Sequence, residues 1–275
     1  MSKGELKITE VTCKNALVKS GIAGMNYALN SYTGCQHACL YCYAEFMKKY
    51  THHPEPWGEF VDVKINLVDR LRQQVKRTKP GTVMIGTVTD AYQPLERELS
   101  LTRQCLEVLS GSDFPVFIQT KSDLILRDID VLKRIKEKEI GLTITCPDSR
   151  VERIFEPAAS DLERRFEALS RLKENGIPTF VFLGPILPFF SDNERSLKSL
   201  FDRFRKIGIE KIYLDKMNYL KAKFKKFRQF LAREYPQALR FYEGIVKDEA
   251  GYADWLKANV MSALDGYSFD AEILF

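Results

Sequence analysis

The stretch "SYTGCQHACLYCYAEF", residues 31–46, decides how the chain is read. It places Cys35, Cys39 and Cys42 within eight positions of a protein that has six cysteines in all, and surrounds them with Tyr32, Tyr41, Tyr43 and Phe46. Thiolates this close in one loop can converge on one metal centre with little further ordering of the chain. A closed structural zinc site uses four ligands, and an electron-transfer iron–sulfur cluster usually has four cysteines. The remaining cysteines, Cys13, Cys105 and Cys146, are scattered. Three readings are open: zinc completed by His37 or a distant cysteine, chance clustering without metal, or an iron–sulfur cluster with one iron left open. An open position is what a catalytic centre needs.

Outward from that loop the sequence alternates. "TVMIGTV" (82–88), "PVFIQT" (115–120), "GLTITC" (141–146), "PTFVFLGPI" (178–186) and "KIYLD" (211–215) are short apolar, β-branched runs bounded by Gly, Pro or charge, as buried strands are. Amphipathic helical patterns separate them; in one, Leu162, Phe166, Leu169 and Leu172 fall at helical spacing before a stop at Asn175-Gly176. "GMNYALNSY" (24–32) reads as a first strand, with helices near 43–50 and 66–78. About six βα units result, which means an α/β fold with a parallel sheet, either doubly wound or a barrel. In such folds the functional face lies at the C-terminal ends of the strands. Cys35, Thr89, Asp90, Lys121, Thr145 and Asn218 therefore fall on one expected rim, although Thr89 and Asp90 equally suit a helix N-cap.

Composition excludes other classes. A hydrophobic content of 45% with 29% charged residues is that of a globular chain, not a disordered one. No apolar run is long enough to span a bilayer and the N-terminus lacks a secretory pattern, so a cytoplasmic protein with no membrane partner is expected. A net charge of +5 permits a nucleic acid or a phosphorylated partner without requiring one. The expected organisation is an N-terminal segment (1–24), a core domain (25–218) and a C-terminal helical extension (219–275). In that extension "YLKAKFKKFRQFLAREYP" (219–236) places Leu220, Phe224, Phe227 and Leu231 on one stripe, and Lys221, Lys223, Lys225, Lys226 and Arg228 over the remaining surface.

The spacing Cys-x3-Cys-x2-Cys, with an aromatic before the last cysteine, resembles the radical S-adenosylmethionine (SAM) superfamily. "NSYTGCQHACLYCYA", "GTVTDAYQPLERELSLTR", "IQTKSDLILRDIDVLKRI" and "FEPAASDLERRFEALSRLKENGIPTFVFLGPILP" together resemble the branch that includes the spore photoproduct lyases, over about residues 25–235. The resemblance implies a parallel (β/α)6 partial TIM barrel. It implies that Cys35, Cys39 and Cys42 hold three irons of a [4Fe-4S] cluster whose fourth iron chelates SAM. Reductive cleavage of SAM would then give a 5′-deoxyadenosyl radical that abstracts hydrogen from a substrate, in a lyase or another radical transformation, with an external electron donor such as a flavodoxin or ferredoxin. Among the cofactor-binding residues, Tyr41 is expected near the adenine and Thr89 and Asp90 near the methionyl amine. Lys121 is expected to pair with the SAM carboxylate, and Thr145 to reach the ribose or methionyl end. Arg150, Arg153, Glu156, Arg164 and Arg165 are expected to form a helix-supporting salt-bridge network.

One departure stands out. Where spore photoproduct lyases carry a hydrogen-donating cysteine at the end of the second strand, this chain has Thr87, and Cys146 is either a substitute or a small buried hydrophobe. The readings carried forward are a radical SAM enzyme of unknown substrate, a nucleic-acid lesion lyase, and a zinc-stabilised nucleic-acid-binding module without catalysis.

Overall fold

The structure is a computed structural model that describes residues 6–275; residues 1–5 of the expected N-terminal segment lie outside the described residues. The chain opens with β1 (Lys7–Val11), β2 (Val18–Lys19), β3 (Tyr27–Leu29) and β4 (Tyr32–Thr33). The cysteine loop follows, then a 3₁₀ segment over Tyr43–Tyr50, β5 (Phe60–Lys64) and α1 (Leu67–Val75). From there strands and helices alternate: β6 (Val83–Ile85), α2 (Glu96–Leu99), α3 (Leu101–Ser110), β7 (Val116–Thr120), α4 (Ile129–Leu132), β8 (Lys138–Ile144), α5 (Ser149–Phe155), α6 (Leu162–Glu174), β9 (Thr179–Ile186), α7 (Glu194–Ile207) and β10 (Lys211–Lys216). Three helices, α8 (Leu220–Glu234), α9 (Pro236–Ile245) and α10 (Glu249–Leu264), precede a last strand, β11 (Asp270–Ile273).

The main sheet has the order β11-β10-β9-β8-β7-β6-β3-β2. Neighbours from β3 through to β11 pair in parallel, and β2 pairs antiparallel with β3 at the far edge. The six expected strands are thus consecutive and parallel, and two edge strands add to them. The apolar C-terminal strip pairs beside β10 through Asp270–Ile273. A small second sheet, β1-β5-β4, was not legible in the pattern; the expected first strand ends at Leu29, and Tyr32–Thr33 crosses over to pair with β5.

Alternation along the strands sends two sets of side chains to opposite faces. Val116, Ile118, Ile140, Leu142, Ile144, Val181 and Leu183 pack with the helices in the main core. On the other face Phe117 and Phe180 stack with centroids 4.6 Å apart, and Tyr213 meets Phe180 edge-on at 5.2 Å. These rings form an aromatic floor. Gln119 and Thr143, two residues further along β7 and β8, face the same way and line a cavity above it. The floor depends on Gly141, because a Cβ there would lie 2.1 Å from the Phe180 ring.

The helical extension packs as its pattern required. Leu220, Phe224, Phe227 and Leu231 are buried, and Phe227 meets Phe155 of α5 at 5.1 Å and Tyr242 of α9 at 5.3 Å. Its basic surface needs correction at two positions. Lys223 is buried, and Lys223 and Lys226 both pair with Glu45, at 2.5 and 2.7 Å, three residues beyond Cys42. Helix α8 is therefore tied to the cysteine segment. Among the described residues no helix is long and apolar enough to cross a membrane.

The floor gives a direct test. Gly141→Ala overpacks the Phe180 ring and is expected to lower stability by about 1–3 kcal/mol, read from the urea midpoint; an unchanged midpoint would mean the floor yields freely.

Candidate active site

The cysteine loop has no ladder of its own, so its backbone groups need partners from elsewhere. Two tight turns, Ala38 N–H to Cys35 O at 3.3 Å and Cys42 N–H to Cys39 O at 3.1 Å, bring the three cysteines around one space. Neighbouring units hold the loop in place. Thr89 Oγ1 donates to Gly34 O at 2.6 Å. Gln93 accepts from Gln36 N–H at 2.9 Å and donates to Thr89 Oγ1 at 3.1 Å. Leu40 N–H donates to Phe155 O at 2.9 Å, anchoring the far side of the loop to α5.

The resulting cavity sits at the C-terminal ends of β6, β7 and β8, lined by Cys35, Cys39 and Cys42 together with Thr87, Gln119 and Lys121. His37, Thr89 and Asp90 also face it. Burial pushes the Cys35 thiol up to about 12 and raises Cys39 and Cys42 as well. Without metal these are three neutral thiols; metal binding displaces their protons. Lys121 is the facing cation. Burial works against its charge, but Cys39, Glu156 and Asp90 together raise its pKa. Its Nζ lies 5.7 Å from the centre of the Tyr41 ring, and no carboxylate pairs with it among the described residues.

The sequence-predicted residues fall into three groups. Cys35, Cys39, Cys42, Thr87, Thr89, Asp90 and Lys121 meet at the cavity. Thr89 and Asp90 have protein partners there: besides the Thr89 bond to Gly34, Asp90 accepts from Tyr92 N–H at 2.8 Å, Thr120 Oγ1 at 2.7 Å and Lys121 N–H at 2.9 Å. His37 Nδ1 lies 3.3 Å from its other face. Although burial alone would raise the Asp90 pKa, His37 and these donors hold it well below the usual carboxylate range. Tyr41 is buried behind the loop, its hydroxyl donating to Glu156. Thr145 is buried at the end of β8 with its hydroxyl unpartnered. Cys146 lies in the aromatic core around α5 and α8, and Asn218 is exposed with its amide on Asp215.

The expected arginine network needs the second correction. Arg164 and Arg150 do make outer pairs, with Asp123 at 2.6 Å and Glu234 at 3.8 Å. Arg165 is fully buried between Glu152 and Glu156, 2.6 Å from the latter, and also donates to Thr143 O at 3.1 Å. It therefore backs the Glu156 that holds Tyr41. Sequence reasoning missed this role, along with Gln36 and Gln93; their signal was only that polar residues follow the strand ends.

Among the described residues no three His, Cys, Asp or Glu side chains gather about a point as a single metal ion requires; the cysteines surround a cavity instead. Three cysteine thiols around one cavity, facing a lysine that makes no ion pair among the described residues, fit an iron–sulfur cluster and a zwitterionic ligand. The sequence profile of the radical SAM superfamily matches residues 29–215.

The chain belongs to the radical SAM superfamily. It is an enzyme, and the family implies SAM and an iron–sulfur cluster. An uncharacterised protein of Methanocaldococcus jannaschii is 36% identical over 85% of this chain and 86% of its own length. The spore photoproduct lyase of Clostridium acetobutylicum is 24% identical over 65% of this chain and 52% of its own. A solved spore photoproduct lyase, complexed with dinucleoside spore photoproduct, aligns with a TM-score of 0.72 at 15% identity, over 98% of this chain and 82% of that one. The fold is shared, and the zinc-module reading is not favoured.

Arg165→Met leaves two carboxylates buried without their cation and is expected to cost about 3–5 kcal/mol. Adding Glu152→Gln and Glu156→Gln should restore part of that loss. Urea midpoints of the metal-free proteins measure both, and a midpoint unaffected by Arg165→Met would remove the network from the account.

Proposed function

We propose that Cys35, Cys39 and Cys42 ligate three irons of a [4Fe-4S] cluster, and that Lys121 pairs with the carboxylate of SAM, on a (β/α)6 partial barrel. The observation that carries this reading is the meeting of two buried thiols, one half-buried thiol and a lysine whose Nζ makes no ion pair among the described residues, around a single cavity at the strand ends. When bound, the cluster and SAM supply, after one-electron reduction, the 5′-deoxyadenosyl radical that takes hydrogen from the substrate. The protein's part is to hold and to shield. Lys121 supplies a fixed positive charge in a low-dielectric space, where charge-assisted bonds are strong. Asp90 fixes the backbone of Lys121 through its amide, and Thr89 fixes Gly34. The Thr145 hydroxyl, expected at the ribose or methionyl end, is unpartnered but fully buried and outside the cavity lining. Tyr41, its hydroxyl held by Glu156, would back the adenine from behind the loop rather than line the cavity. The reductant is an external carrier of flavodoxin or ferredoxin type.

A nucleic-acid substrate is a second reading, supported by the cavity mouth. Tyr43 lines the cavity yet is half exposed, Phe46 lies nearly parallel to it with centroids 6.5 Å apart, and Tyr219 is exposed nearby. Such rings suit stacking of bases. A lesion lyase of the spore photoproduct type is disfavoured by Thr87, whose hydroxyl is a far poorer hydrogen-atom donor than a thiol, and by the burial of Cys146 away from the cavity.

Anaerobically reconstituted protein, reduced with dithionite and supplied with SAM, is expected to form 5′-deoxyadenosine. Cys39→Ala should abolish it, and Lys121→Ala should raise the SAM concentration needed by tenfold or more with iron content unchanged. Tight zinc and no 5′-deoxyadenosine would overturn the proposal.

A further inference from the structure

On its far side the cysteine loop meets α5 and α8. Leu40, between Cys39 and Cys42, donates its N–H to Phe155 O at 2.9 Å, at the end of α5. Glu45 is held by Lys223 and Lys226 of α8. Arg150, near the start of α5, reaches Glu234 at the end of α8, 3.8 Å away. The loop and the two helices therefore bound one stretch of surface. Its middle is apolar: Leu40, Ile154 and Phe230 pack on the aromatic core beneath and remain partly exposed.

Its rim is basic. Glu45 pairs with two lysines, and Glu234 with both Arg150 and Arg233. Arg153 is exposed and makes no ion pair among the described residues. Glu152 and Glu156 turn inward to Arg165, and Asp148 caps α5. Cations therefore outnumber the carboxylates left on this face. An apolar patch inside a charged rim is the anatomy of a protein-docking surface, and the sign of the rim calls for an acidic partner. The apolar middle fits a folded protein better than a phosphate backbone, which is met by Lys and Arg alone. The cavity mouth lies on the β6 side, where Tyr43 donates to Thr87 O, so a partner on this face leaves the cavity open.

We propose that this face, with Leu40, Ile154 and Phe230 inside a rim of Arg150, Arg153 and Arg233, docks a small acidic one-electron carrier protein. The electron then enters beside Leu40, the residue that separates Cys39 from Cys42. The inference rests on the proposed role of the three cysteines and gives the external reductant a place on the chain. The carrier is oxidised by one electron and the cluster is reduced by one. The arginines act on encounter: complementary charge speeds association and orients it, and the apolar middle holds the docked pair.

The test titrates reconstituted protein with a purified flavodoxin by calorimetry at low ionic strength. Stopped-flow absorbance then follows reduction of the protein by the same flavodoxin, pre-reduced, and by dithionite, which needs no docking. Wild type is compared with the double variant Arg150→Glu, Arg153→Glu; both side chains are exposed, and the one long ion pair they make contributes little to stability. A control, Lys221→Glu with Lys225→Glu, makes the same charge change on the α9 side of α8, where Arg228 pairs with Glu243. The arginine variant is expected to lose about tenfold or more in flavodoxin affinity and in reduction rate, with dithionite reduction unchanged. The lysine variant should match wild type. Equal losses in both variants would overturn the inference by assigning the effect to net charge. So would a wild type that binds no flavodoxin, or binds it without salt dependence. Loss of single-stranded oligonucleotide binding in the arginine variant, with flavodoxin binding intact, would overturn it in favour of a nucleic-acid surface. If wild type binds flavodoxin on this face but assembles no cluster, it is the functional proposal that fails.

Discussion

The rest of this molecule depends on holding an irregular loop still. Residues 34–42 have neither helix nor ladder, yet they must present three sulfurs to one space. Backbone groups in that position need fixed partners, because an unpaired buried donor or acceptor costs as much as the bond it lacks. The partners come from the loop after β6 on one side and the end of helix α5 on the other: Thr89 and Gln93 take Gly34 and Gln36, and Phe155 takes Leu40. The parallel sheet fixes the spacing of those ends, and the loop inherits it. Helix α8 adds the last restraint by clamping Glu45, just beyond Cys42, with two lysines.

Charge is arranged around the loop with the same economy. On one side lie three thiols that burial keeps neutral until metal takes their protons. Facing them is Lys121, whose charge Glu156 and Asp90 support against burial. Behind them Arg165 pairs with both Glu152 and Glu156, and Glu156 also accepts from the Tyr41 hydroxyl. A buried arginine between two carboxylates contributes little net stability. Its value here is geometric: it connects α6 through α5 to the aromatic residue just before Cys42. The aromatic layer of Phe117, Phe180 and Tyr213 lies on the face of the sheet from which Gln119 and Thr143 line the cavity.

Much of this was legible in the sequence because its signals are local. The cysteine spacing, the five apolar runs from 82 to 215 and the Leu220-Phe224-Phe227-Leu231 stripe each depend on a few neighbouring residues, and each lies where the pattern put it. Lys121 was legible because it follows β7 directly, and Thr89 and Asp90 because they lie in the loop after β6, which ends sooner than the pattern put it. What was not legible depends on contacts across the chain. The strands β1 and β5 are short, and their pairing joins residues more than fifty positions apart. Lys223 looked like a solvated lysine because nothing near it in sequence reveals Glu45. Arg165 looked like one of several helix-surface charges; only the packing of α5 against α6 shows that it is buried.

The central claim is that three cysteines hold a cluster whose remaining iron is open to SAM. Mössbauer spectroscopy of protein reconstituted with ⁵⁷Fe tests it most directly, with and without SAM. The account predicts four irons per cluster, of which one changes its environment when SAM is added while three do not. Four irons that all ignore SAM, or a protein that retains no cluster with its three cysteines intact, would contradict it.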